Sequence, residues 1–214
     1  MPKCRLPRLY PILDAGLLLR AGLSIEGFAR ELRQAGIRFL QYRDKEATDK
    51  VVLERAALLR TIFPHSCLIL NDRVSLVSTA GYDGIHVGQE DLSPAQARAT
   101  LGTEVLIGVS THGEGQLRSA ADGPADYVAI GPVFATASKQ DPDPVVGLDG
   151  VRAARAMTAK PLVAIGGITR SNCAAVIQAG ADSVAVISDL IPGPGSSTGK
   201  LVQEFLTALS DHTR

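Results

Sequence analysis

The sequence carries no surplus of charge of either sign. Lys plus Arg and Asp plus Glu each number 22 among 214 residues, so nothing points to a nucleic-acid or membrane-surface protein, and any phosphate site must be local. Long apolar runs are missing as well. The opening MPKCRLPRLYPILDAGLLLRAG interrupts its short apolar stretches with Arg, Pro and Asp, so it offers neither a membrane span nor the apolar core of an export signal. Cysteine is scarce. Cys4, Cys67 and Cys173 are odd in number, far apart and outside any CxxC or Cys/His cluster, which argues against disulfides and structural zinc and for a reducing, cytoplasmic setting. Low-complexity segments are also lacking; PGPGSST, from Pro192, reads as a loop before a last helix.

What is present suits one large α/β domain over residues 1–214. Hydrophobic residues make up 45% and charged residues 21%, enough to bury a core and remain in solution. Short apolar, β-branched runs recur, roughly Leu9–Leu13, Phe39–Tyr42, Cys67–Leu70, Gly84–Val87, Val105–Val109, Tyr127–Ile130, Leu162–Ile165 and Val184–Ile187. Each is apolar enough to be buried on both faces, and amphipathic segments fill the gaps between them, the signature of parallel strands with crossover helices. Ser24, Thr48, Ser93 with Pro94 behind it, Ser171 and Ser197 stand where helix N-caps belong, and Gly36 and Gly180 where helices end.

Every second strand is introduced by a similar helix exit: AGIRFLQYR from Ala35, AGYDGIHVG from Ala80, DGPADYVAIG from Asp122 and AGADSVAVIS from Ala179. A repeating unit of two βα modules, used four times, predicts a closed (β/α)8 TIM barrel. An open doubly wound sheet would need fewer strands and would carry a Gly-rich fingerprint after its first strand, which is absent here. The last interval is lengthened by residues 131–150, GPVFATASKQDPDPVVGLDG, a Pro-, Gly- and Asp-rich stretch expected to be an active-site loop because it starts at a strand end. A variable surface loop is the alternative.

Barrel chemistry gathers just after the strands, and those positions are polar here. Gln41, Arg43 and Lys45 alternate after strand 2 as an extended segment would, offering an amide and two cations to a diphosphate; Asp44 and Glu46 could instead satisfy a solvated strand end. After strands 3 and 4 come Asn71-Asp72 and Gly88-Gln89-Glu90-Asp91. A carboxylate from each of two adjacent loops suits Mg²⁺, with water and phosphate oxygens completing its shell; taken singly, Asp72 could cap a helix and Asp91 could stabilise a turn. Strand 5 ends in Ser110-Thr111-His112, hydroxyls and an imidazole near a helix start. His112 has no partner legible in sequence, and no Ser/His/Asp triad can be assembled. His65 falls at the opposite end of the barrel, and His86, inside strand 4, reads as packing. The loop after strand 6 holds Thr136, Ser138 and Lys139. Gly166-Gly167 after strand 7, with Ile187-Ser188 after strand 8, match the place where many barrels cradle a phosphate, although a Gly-Gly alone is only a turn.

In that order and spacing, QYRDK, ND, HVGQEDL, GVSTH, GPVFATASK, AIGGI and AVIS resemble the thiamine phosphate synthase family over essentially the whole chain. The resemblance implies a Mg²⁺-dependent transfer that joins a hydroxymethylpyrimidine diphosphate to a hydroxyethylthiazole phosphate, releasing pyrophosphate. It assigns Asp72 and Asp91 to the metal. It assigns Gln41, Arg43, Lys45, Asn71, Ser110 and Lys139 to the pyrimidine diphosphate, with Arg43, Lys45, Ser110 and Lys139 also serving catalysis. Thr136, Ser138, Gly166, Gly167, Ile187 and Ser188 go to the thiazole phosphate. The implied partners are these small phosphorylated molecules, with no nucleic acid and no membrane, and a homo-oligomer stays open. Ala135 replaces the family's usual Pro and Ser138 its usual Thr, so loop rigidity is the point in question. Two other functions compete: a related thiazole tautomerase, which would enlarge the role of His112, and a non-catalytic thiazole phosphate binder, which would have no use for the cations and carboxylates.

Overall fold

In the computed structural model, which describes residues 4–136 and 143–210, eight parallel strands pair in chain order and close into a barrel: β1 (Leu9–Asp14), β2 (Phe39–Arg43), β3 (Cys67–Asn71), β4 (Gly84–Val87), β5 (Leu106–Thr111), β6 (Tyr127–Ile130), β7 (Leu162–Ile165) and β8 (Ser183–Val186). Closure comes from β8 pairing with β1, Leu9 opposite Val184. Crossovers run through α1 (Ala15–Arg20) and α2 (Ile25–Gln34), then α3 (Asp49–Ile62), the short α4 (Val77–Ala80), α5 (Pro94–Leu101), α6 (Glu114–Asp122), α7 (Gly147–Met157) and α8 (Cys173–Gln178), with α9 (Thr198–Ser210) last. The expected (β/α)8 barrel is what forms. β5 runs later than the apolar run suggested and β8 ends earlier, so Ile187 and Ser188 lie past the strand.

Strand alternation divides the apolar residues into two cores. Leu40, Leu68, Ile85, Ile107, Val128 and Val184 face outward and pack beneath the helices, whereas Tyr10, Ile12, Phe39, Ile69, Tyr127 and Val163 fill the barrel. Inward positions turn polar toward the C-terminal strand ends, where Gln41 and His86 are buried. Among the described residues no helix is long and apolar enough to cross a membrane.

Ser24 caps α2 by accepting from the Gly27 N–H, and Ser93 forms a full capping box with Gln96 at the head of α5. Ser197 accepts from the Lys200 N–H at the start of α9. Thr48 precedes α3 without a side-chain cap bond. Ser171 is not a cap: α8 begins one residue later than expected, behind Asn172, and the Ser171 hydroxyl bonds that of Thr169.

The period-two repeat has a physical cause at the bottom of the barrel. Asp83, Asp126 and Asp182 stand at or just before the starts of β4, β6 and β8. Each accepts an Arg from the helix before the preceding strand, Arg60, Arg98 and Arg155, at 2.6 to 2.7 Å. Each also accepts the backbone N–H at the start of the preceding strand, from Leu68, Ile107 and Leu162. One carboxylate thus ties a helix to two strands in three of the four units, through charge-assisted bonds. The first unit has Arg38 where the others have Asp, and its guanidinium bonds the Arg33 and Ile37 carbonyls instead.

One expectation fails. Cys4 and Cys67 form a disulfide, and among the described residues only Cys173, which is buried, is free. Separation along the chain argued against pairing, yet the β1–β2–β3 pairing lays the segment leading into β1 beside the start of β3, bringing the two Cα atoms to 5.7 Å. Cysteine usage therefore gives no support to a reducing compartment.

Candidate active site

A cavity of about 480 Å³ opens at the C-terminal ends of the strands, inside the usual range for small-molecule sites. Gln41, Arg43 and Lys45 enter it from β2, Asn71 and Asp72 from β3, Asp91 from the loop after β4, and Ser110 from β5. The arc from β6 to β8 supplies Thr136, Gly166, Gly167, Ile187 and Ser188. Of the residues anticipated from sequence, only Ser138 and Lys139 are not placed, because they lie outside the described residues.

Arg43 is aimed by a residue that the sequence did not single out. Asp14, buried at the end of β1, caps α1 by accepting from the Leu17 N–H at 2.8 Å through one oxygen and pairs with the Arg43 guanidinium through the other. Asp44 serves elsewhere, taking the Tyr42 hydroxyl and Arg55. Asp14→Ala should therefore release both α1 and Arg43. A lost cap costs about 0.5 to 2 kcal/mol, and a freed Arg43 should raise KM for a diphosphate ligand several-fold with little change for a monophosphate, which denaturant melts and steady-state kinetics would check.

Asp72 sits in the left-handed region at φ 62, a conformation that Asp and Asn tolerate better than most residues. Its carboxyl is pushed up to about 6, first by burial and then by the neighbouring Asp91 carboxylate; Lys45, 3.6 Å away, pulls the other way. Asp91 also does what its bland reading required, accepting from the Gly88 N–H at 2.7 Å. Two carboxylates converging in a partly buried place, with one flexible ammonium for company, fit a hard divalent ion, because oxygen donors and residual negative charge are what Mg²⁺ takes.

The paired glycines answer to packing as well as to any ligand. Gly166 has φ +98 and a Cβ there would lie 2.5 Å from the Pro132 Cβ; Gly167 has φ +62 and would meet the Ala135 carbonyl oxygen at 2.5 Å. The ascending arm of the loop is laced onto this turn by bonds from the Val133 N–H to the Ile165 carbonyl and from the Phe134 N–H to the Gly166 carbonyl. Only glycine lets the two backbones approach so closely. α7 begins at Gly147, so the expected loop ends earlier than residue 150.

His112 acquires partners. Its Nδ1 lies 2.7 Å from the Gly131 carbonyl oxygen and 3.5 Å from Asp143, so it ties the end of β5 to both arms of the loop. His65 is at the opposite end, as expected. His86 is buried in β4 but is more than packing, since it lines the cavity and bonds Ser110 and Tyr127. Tyr10 also lines the cavity unannounced, and Tyr127 is buried with its hydroxyl on the Tyr10 hydroxyl and the His86 Nδ1, because in sequence both read only as apolar strand residues.

A (β/α)8 barrel with a small-molecule cavity at the C-terminal ends of its strands has the architecture of a barrel enzyme. The profile of the family described as "Thiamine monophosphate synthase" matches residues 9–190. The "Thiamine-phosphate synthase" of Koribacter versatilis is 50% identical over 202 residues, covering 93% of this chain and 96% of its own, and that of Chloroflexus aurantiacus is 41% identical over 186 residues, covering 86% and 85%. The structure of "Thiamine phosphate pyrophosphorylase" from Pyrococcus furiosus superposes with a TM-score of 0.83 at 27% identity, covering 95% of this chain and 96% of that one. The chain belongs to the thiamine monophosphate synthase family.

Proposed function

We propose that residues 1–214 form a single catalytic barrel that joins 4-amino-2-methyl-5-(diphosphooxymethyl)pyrimidine to 4-methyl-5-(2-phosphooxyethyl)thiazole, giving thiamine phosphate and pyrophosphate. The observation that carries this reading is that one cavity is lined on two sides by groups suited to anions. Cations and carboxylates stand on the β2–β5 arc, and a glycine turn with the backbone after β8 stands across from them. Two anchors in one cavity suit the joining of two phosphorylated molecules.

In this reading Arg43, Lys45, Asn71 and Ser110 bind the diphosphate, with Gln41 toward the pyrimidine and Lys139 from the loop. Gly166, Gly167, Ile187 and Ser188 hold the thiazole phosphate with Thr136 and Ser138. Asp72 and Asp91 hold Mg²⁺, which supplies charge neutralisation for the departing diphosphate. The bond between the pyrimidine methylene carbon and the diphosphate oxygen breaks, its electron pair leaving with pyrophosphate while the amino group stabilises the carbon cation. The thiazole nitrogen lone pair then forms the new C–N bond. No protein nucleophile is required. Arg43 and Lys45 stabilise charge as it develops on the leaving group, and the two anchors set the approach of carbon and nitrogen. The loop after β6 borders the cavity through Gly131, Pro132, Thr136 and Asp143, and in this reading it keeps water from the reacting atoms. The cytoplasm is the fitting location, since both substrates are highly charged.

Incubating the protein with both substrates and Mg²⁺ should release pyrophosphate and thiamine phosphate in equal amounts. Binding of the thiazole phosphate with no turnover at saturation would instead favour a non-catalytic binder. Isomerisation of the thiazole moiety alone would favour the tautomerase, a reading that the engagement of His112 by Gly131 and Asp143 makes less apt.

A further inference from the structure

Beneath the cavity, five side chains form one unbroken hydrogen-bonded chain across the barrel. The Gln41 Nε2 donates to the Tyr10 hydroxyl at 2.8 Å, and the Tyr10 and Tyr127 hydroxyls lie 3.0 Å apart. The Tyr127 hydroxyl is 3.0 Å from the His86 Nδ1, and the His86 Nε2 is 2.8 Å from the Ser110 Oγ. The chain begins on β2, passes through β1, β6 and β4, and ends on β5. A barrel interior can be filled with aliphatic side chains alone, and burying polar groups is costly unless each finds a partner. Here every member does.

The chain also has a direction. An amide nitrogen only donates, so the Tyr10 oxygen accepts from Gln41. The buried Tyr10 hydroxyl has the Tyr127 oxygen within reach for its own proton, and a chain in which each buried hydroxyl proton finds an acceptor runs from Tyr10 to Tyr127. Burial holds both phenols well above their ordinary titration range, so both keep their protons. The Tyr127 proton then points at the His86 Nδ1, which must carry a lone pair. With a lone pair on Nδ1, the ring carries its proton on Nε2 and donates it to the Ser110 Oγ. With its oxygen accepting from His86, the Ser110 hydroxyl has its own proton left for the cavity. At the other end the Gln41 carbonyl oxygen takes no hydrogen bond among the described residues. Gly108 shows how closely the interior is shaped around the middle of the chain. It is paired in register with both His86 and Tyr127, and a Cβ there would fall 2.0 Å from the Tyr127 Cζ and 2.3 Å from its hydroxyl.

We infer that this chain is an orienting device. It fixes Ser110 as a hydroxyl donor and the Gln41 carbonyl as an acceptor toward the aminopyrimidine diphosphate, with Tyr10, Tyr127 and His86 as positioning residues. The pattern is complementary to such a ligand, because an exocyclic amino group needs an acceptor and a phosphate oxygen needs a donor. A 4-oxo pyrimidine would set its carbonyl against the Gln41 carbonyl and should be rejected. The inference rests on the proposed placement of the pyrimidine substrate beside Gln41 and Ser110.

Nitrogen-15 NMR of the wild-type protein at neutral pH should show His86 as the neutral Nε2–H tautomer; the Nδ1–H form would overturn the direction of the chain. Two variants then separate positioning from packing. In His86→Gln the amide nitrogen takes the place of Nε2 and still reaches Ser110, so kcat/KM for the pyrimidine diphosphate should stay within a few-fold. In His86→Asn the nitrogen takes the place of Nδ1, and the same constant should fall at least about tenfold with the KM for the thiazole phosphate unchanged. Equal losses in both variants, or loss in neither, would overturn the positioning role. Ser110→Ala and Gln41→Ala test the underlying placement separately. If both turn over like wild type, the pyrimidine is not where it has been put, whatever tautomer His86 shows; if both are impaired while His86 is Nδ1–H, the orienting device alone fails.

Discussion

Asp72→Asn is expected to raise the melting temperature of the metal-free protein at pH 7.5 while lowering Mg²⁺-dependent turnover by about a hundredfold or more. The two effects have one cause. The Asp72 carboxyl is pushed up to about 6 by burial and by Asp91, above its ordinary value of 3.8. A group raised in the folded state contributes stability that is fully present below its unfolded value and is lost as pH rises through its folded value. Wild type and variant should therefore melt alike near pH 4 and diverge up to about pH 6, the variant being the more stable above it. The full shift corresponds to roughly 3 kcal/mol, and the side chain, 23% exposed, keeps some solvent screening, so about 1 to 2 kcal/mol and a few degrees are expected. Asn also suits the left-handed backbone at this position, so the substitution adds no strain there. Mg²⁺ should raise the wild-type melting temperature and leave that of the variant nearly unmoved. Full activity in Asp72→Asn would remove the carboxylate pair from the metal site.

The tension between stability and chemistry at Asp72 belongs to a wider division in what the sequence discloses. Strand runs, helix starts at Ser24 and Ser93, and the polar residues after each strand are local signals, and the barrel assembles them as the order of the chain implies. Even the two-module repeat is visible at Ala80, Asp122 and Ala179. Its cause is not, because Arg60, Arg98 and Arg155 reach their aspartates from a helix some 23 to 28 positions distant, and no local periodicity records that. The Cys4–Cys67 pairing and the hold of Asp14 on Arg43 are hidden for the same reason. They are consequences of tertiary pairing, which puts β1 beside β2 and the incoming segment beside the start of β3. Tyr10, Tyr127 and His86 are concealed differently. A tyrosine in a buried strand satisfies the apolar pattern with its ring, and only the barrel's interior layering shows that its hydroxyl meets others across the axis.

Gly166→Ala should be the most damaging single methyl group that can be added at the monophosphate side of the cavity. At φ +98 a residue with a Cβ is strained by about 1 to 3 kcal/mol, and the new atom would also stand 2.5 Å from the Pro132 Cβ and 2.6 Å from its Cα. Pro132 cannot swing away as a flexible side chain would, so the turn and the base of the loop must part. Overpacking of this kind typically adds about 1 to 3 kcal/mol. The sum, on the order of 3 kcal/mol or more, should lower the melting temperature by roughly 10 °C. Gly195→Ala provides the control, since it has φ +77 but nothing within 4 Å of its Cβ, and it lies outside the cavity. It should show the backbone cost alone, with kinetics unchanged. For Gly166→Ala the KM for the thiazole phosphate should rise at least about tenfold, because a displacement near 1 Å at a binding backbone is enough to lose that much. The KM for the pyrimidine diphosphate should move little, its proposed anchor being built on β2 to β5. If the losses fell instead on the pyrimidine substrate, the division of the cavity into two anchors would be wrong, and the glycine turn would have to be read as the hinge of the loop rather than as a phosphate seat.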